Sequence, residues 1–143
     1  MIKILLLGAF FVSSAVQGKE VHIQCPARYP ANFVNLPDVP KGWDGQARVS
    51  GGVLLLGATY VEGEITRDSY GEMIGRPEIK TKSGFERRYP TDGQIKDKWI
   101  LCRYGDDGAI ELFHRVPADI THCVIRTNPQ KFPKDLIVNA TCK

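Results

Sequence analysis

Fourteen glycines and nine prolines break this chain at short intervals. No window beyond residue 18 sustains apolar residues at i, i+3, i+4 and i+7 without one of them interrupting it. Helix is therefore expected to be minor, and the chain must find its core through strands. Gln46 to Ser50 precede a glycine pair, and the run from Val53 to Val61 is apolar on both faces, which predicts a buried strand. Lys98 to Tyr104 and Ala109 to Val116 flank Gly105-Asp-Asp-Gly108, two β-rich runs around a D-G turn that predict a hairpin. In regular strands this hairpin would carry Trp99, Leu101, Ile110 and Leu112 on one face and Ile100, Cys102, Tyr104 and Phe113 on the other. Thr121 to Arg126 and Leu136 to Cys142 supply two more short strands. The expected fold is mainly β, an antiparallel sheet rolled into a sandwich or open barrel.

The length of 143 residues, 43% of them hydrophobic, suits one globular domain. Prolines confine residues 25–30 and 35–40 to extended or turn segments. Trp43 is read as a plug on the core. The first residues follow the three-part order of a secretory signal peptide: Lys3, an apolar run from Ile4 to Val12, then small residues from Ser13 to Gly18. The apolar run is shorter than the roughly twenty residues that cross a bilayer. Residues 1–18 are thus expected to be removed on export, leaving residues 19–143 as one β-rich domain in an oxidising space with no membrane anchor. No cysteine stands directly behind the small residues, so no lipoprotein box is expected.

In that compartment the four cysteines, Cys25, Cys102, Cys123 and Cys142, read as two disulfides. No C-x-x-C spacing is present and the three histidines complete no zinc pattern, so neither a metal nor a cofactor is expected. Three pairings are possible. The favoured one joins Cys102 to Cys123, within one antiparallel unit, and Cys25 to Cys142, at the two ends of the exported chain.

Catalytic signatures are sparse. The chain contains no G-x-S-x-G elbow, no H-E-x-x-H, no Walker loop and no G-x-G-x-x-G. Glu62 and Glu64 would share a strand face and read as solvated, Asp106 and Asp107 belong to a turn, and His114 is expected half-buried within a strand. An enzyme is not expected. Nineteen Lys and Arg stand against sixteen Asp and Glu, with no basic run longer than Arg87-Arg88. With export expected, no nucleic-acid partner is expected either. Asn139-Ala-Thr141 forms a glycosylation sequon that only a eukaryotic secretory route would use. The remaining class is recognition of another protein by a stapled β domain. The segment from Asp68 to Pro77 holds the candidate contacts Tyr70, Met73, Ile74 and Arg76, residue types enriched at interface centres. A ligand-binding or envelope-maintenance module without catalysis is the alternative.

Cys25-Pro26, Pro40-Lys-Gly-Trp43, Trp99-Ile-Leu-Cys-Arg-Tyr104 and the later Cys123 together resemble small periplasmic proteins of enterobacteria encoded in or near type VI secretion loci. Some of those resemble immunity proteins that neutralise peptidoglycan-targeting effectors, including the L,D-transpeptidase-like type. The resemblance implies a β-rich fold, no catalysis and a tight protein partner in the periplasm. The long segment Ile65 to Lys82 and the final Cys142 depart from the pattern.

Overall fold

The computed structural model describes residues 19–29, 33–35, 39–42, 46–48, 52–66, 70–130 and 135–143. The expected signal peptide, Trp43 and residues 67–69 lie outside them. Among the described residues the strands are β1 (Val21–Cys25), β2 (Arg28–Tyr29), β3 (Phe33–Asn35), β4 (Gln46–Arg48), β5 (Val53–Glu62) and β6 (Gly71–Glu72). They continue with β7 (Ile79–Lys80), β8 (Phe85–Pro90), β9 (Lys98–Tyr104), β10 (Ile110–Val116), β11 (His122–Pro129) and β12 (Leu136–Cys142). The one helical element among these residues is a 3-10 turn at Asp106–Gly108, in keeping with the density of glycine and proline.

Two antiparallel sheets form a sandwich. The first runs β1-β12-β11-β8-β7 and the second β10-β9-β5-β2, with β6 also on β5; β3 and β4 pair with each other. Period-two alternation drives each sheet's inner face into a shared core. Ile23, Cys25, Cys123, Ile125, Val138, Ala140 and Cys142 point inward from the first sheet, and Leu55, Tyr60, Ile100, Cys102 and Tyr104 from the second. Each aliphatic side chain fully withdrawn from water contributes about 1.5–3 kcal/mol.

The D-G hairpin forms where expected. Gly105 at φ 76° and Gly108 at φ 71° supply the left-handed backbone the turn requires, and Asp107 adopts φ 57°. The register differs from the expectation. Ile110 lies opposite Tyr104 and Leu112 opposite Cys102, while Phe113 lies opposite Leu101. Ile110 and Leu112 therefore share the core face with Ile100, Cys102 and Tyr104, and Phe113 shares the outer face with Trp99 and Leu101. The five-residue turn sets this, because a shift of one residue exchanges the faces of a whole strand. β5 departs as well: its second half is buried, but Leu54 and Leu56 are 43% and 58% exposed. Leu55 between them stays in the core, and a bulge between Leu55 and Gly57 leaves Leu56 unpaired on the outer side. His114 is exposed, not half-buried, because β10, among the described residues, is an edge strand paired with β9 alone.

All four cysteines are disulfide-bonded, but in another pairing: Cys25 with Cys102 and Cys123 with Cys142. The expected Cys102–Cys123 bond does not form because Cys123 lies directly opposite Cys142 on the neighbouring strand β12 and is bonded to it, while Cys102 meets Cys25 across the sandwich. Cys25–Cys142 fails on register. Cys25 lies opposite Val138, four residues from Cys142, a distance of about 13 Å along a strand. Cys123, in contrast, faces Cys142 directly, with Cα atoms 4.1 Å apart. Lys143 and His122 exchange both backbone hydrogen bonds, so the cysteines occupy the next, non-hydrogen-bonded pair, where side chains approach closest.

Candidate protein-binding face

The segment from Met73 to Glu78 passes from one sheet to the other at the open side of the sandwich. Met73 N–H donates to Tyr60 O at 3.1 Å on β5, and Arg76 N–H donates to Arg88 O at 2.8 Å on β8. Between these anchors Gly75 crosses so close to Arg87 and Tyr89 that a Cβ there would lie 2.7–2.8 Å from their side chains. The strap is held at both ends and pressed against β8 in the middle.

This arrangement divides the four expected contact residues. Ile74 is 94% exposed and Arg76 is exposed beside it. Met73 packs against the core. Tyr70 folds over the outer face of the second sheet, its ring meeting Phe113 edge-on at 5.5 Å. The Tyr70 hydroxyl donates to Glu111 Oε1 at 2.6 Å and accepts from Arg103 at 3.0 Å. The hydrogen bond to Glu111, helped by burial, holds this hydroxyl above the ordinary tyrosine range. Ile74 and Arg76 therefore form the accessible pair, and Tyr70 and Met73 support the structure.

A cleft of about 630 Å³ runs under the strap, bounded by Thr59, Met73, Arg76, Arg87 and Tyr89. It continues into a hollow of about 250 Å³ beside Leu56, Gly57 and Ala58. Leu56 and Arg87 belong to this face and escape notice in the sequence; Gly57 inside an apolar run is the signal for the bulge that exposes Leu56. Arg87 approaches Glu78 at 3.6 Å with both side chains about half exposed, a pair open to exchange. Arg76 has no ion-pair partner among the described residues.

A second polar group lies at the far end of β5. Glu62 is buried, contrary to the expected solvated Glu62 and Glu64 face; Glu64 stands beyond the strand and is exposed. Glu62 Oε1 accepts from the Tyr60 hydroxyl at 2.7 Å and from Asp92 N–H at 2.9 Å. Its Oε2 is buried with no hydrogen-bond partner among the described residues. Burial foremost, then the bond to Glu62, pushes the Tyr60 hydroxyl far above its ordinary value. Lys98, opposite Glu62 and fully buried, donates from Nζ to Ala118 O at 2.8 Å and Ile120 O at 2.9 Å. These bonds tie β9 to the turn before β11, and neither Glu62 nor Lys98 borders the cleft. Among the described residues no group of three or more His, Cys, Asp or Glu is placed to hold a metal ion, and no helix is long and apolar enough to cross a membrane.

No protein-family model, curated protein or solved structure matches the chain.

Proposed function

We propose that this chain is an exported, immunity-type inhibitor that binds a cell-wall-modifying toxin in the periplasm and occludes it. The observation that carries the reading is Ile74, 94% exposed on a strap whose backbone is bonded to β5 on one side and β8 on the other. An exposed apolar side chain on a fixed backbone loses little conformational freedom on docking, so more of its contact energy appears as affinity. Arg76 beside it adds a residue type common at energetic centres of interfaces. The two disulfides suit an oxidising compartment, and the Lys3-led apolar start suits export. The resemblance to the type VI secretion-associated proteins supplies the partner class.

Co-expression with a periplasm-directed toxin from the adjacent reading frame tests the proposal. Suppressed lysis and co-purification of the two chains are expected. Continued lysis without co-purification overturns it.

A further inference from the structure

β10 is a long sheet edge whose protection is limited to the charged side chains of Glu111 and Arg115. Its seven residues pair with β9 without a register shift, contain no proline, lysine or bulge, and meet no other strand among the described residues. Natural edges of this kind carry such devices to prevent association. Alternation along the sheet fixes which backbone groups are free. Gly63 N–H donates to Asp97 O, so Val61, Thr59 and their β9 partners Trp99 and Leu101 form the bonded pairs between β5 and β9. Ile100 and Cys102 therefore bond β10 through His114 and Leu112. The N–H and C=O groups of Glu111, Phe113 and Arg115 are left pointing outward.

We propose that this edge pairs with the same edge of a second copy, antiparallel about a two-fold axis at Phe113. In that register Phe113 faces its own copy, and Glu111 faces Arg115 of the other chain twice, once on each side of the axis. All three are positions with outward backbone groups, so the ladder closes without a bulge. Sliding by two residues is the nearest alternative that keeps the bonds. It places Glu111 or Arg115 opposite Phe113 and removes both ion pairs, so charge selects the symmetric register. Arg115 is already held over the Trp99 ring at 5.2 Å and by Asp97, and Glu111 by Tyr70, so both charges are positioned before association. A closed two-fold pairing consumes the edge and stops at two chains. β9 separates β10 from β5 and β6 in the second sheet, which leaves the Ile74 strap free on each copy. The inference does not depend on the identity of a toxin.

Sedimentation equilibrium of the exported protein across the micromolar range is expected to show a monomer–dimer transition. Glu111→Arg and Arg115→Glu each place like charges opposite one another and are expected to weaken the dimer at least tenfold. Mixing the two variants restores opposite charges across the axis and is expected to give a heterodimer as tight as the parent dimer. Circular dichroism of each variant verifies the fold, and Phe113→Lys supplies a variant that blocks the centre without touching either charge. A parent protein monomeric up to roughly millimolar concentration, including one whose β10 edge takes a strand of another protein, overturns the proposal. A dimer indifferent to all three substitutions, or singles that fail to rescue each other while remaining folded, also overturns it.

Discussion

Cys25 and Cys102, 77 residues apart in sequence, bond the first sheet to the second, whereas Cys123 and Cys142 join neighbouring strands only 19 residues apart. The two crosslinks therefore act differently on the unfolded state. Loop-closure entropy assigns about 4.5 kcal/mol to the long loop and about 3 kcal/mol to the short one. Replacing Cys25 and Cys102 by alanine is expected to lower the urea midpoint more than replacing Cys123 and Cys142. The reverse order in equilibrium unfolding would contradict the role assigned to the inter-sheet bond.

Lys98 is a buried donor to two backbone carbonyls. Lys98→Met keeps the apolar stem and removes Nζ, which leaves Ala118 O without that partner while Ile120 O retains the Thr91 hydroxyl. The expected cost is about 1–3 kcal/mol, read as a lower urea midpoint at unchanged slope. Loss of near-ultraviolet circular dichroism without unfolding would show that the turn before β11 detaches.

Stability should fall in alkali. Burial raises the Tyr60 and Tyr104 hydroxyls above their ordinary value of about 10. Above that pH the unfolded chain releases phenolic protons that the folded protein keeps. The stabilisation is thus complete below pH 10 and declines above it, by about 1.4 kcal/mol per pH unit for each tyrosine still protonated. Urea unfolding at pH 9 and pH 11.5 measures the decline, and Tyr60→Phe should make it shallower.

Ile74 and Tyr70 were expected to act together, but the structure separates them, and their variants should separate too. Ile74→Asp is expected to leave the folding stability within about 0.5 kcal/mol of the parent, as for an exposed site, and to reduce protection against the toxin at least tenfold. Tyr70→Ala removes the hydroxyl shared by Glu111 and Arg103 and the ring on Phe113, so its first effect should be on stability. Thermal melts and the co-expression assay, run on both variants, distinguish the roles.

The features legible in the sequence are local ones. The D-G turn and its flanking runs place β9 and β10, and alternation marks β11 and β12, because each depends on residues within one hairpin or strand. The faces of the hairpin were misplaced by the register of a five-residue turn. Glu62 shows a different limit. Its burial depends on Asp92 N–H, thirty residues away, and no pattern around Glu62 and Glu64 reports that bond.

The sequence by itself determined a β fold, through glycine and proline spacing that starves helices, and the use of all four cysteines in disulfides, through their even number and lack of metal-ligand spacing. Only the tertiary structure decided which cysteines meet, which half of β5 is covered, and that Ile74 and Arg76 stand outside while Tyr70 and Met73 turn in. Turn chemistry controls chain direction over a few residues, but a strand joins one sheet or the other according to side chains it meets from distant parts of the chain. The Cys25–Cys102 bond records that choice, since β1 and β9 come together only once both sheets have packed.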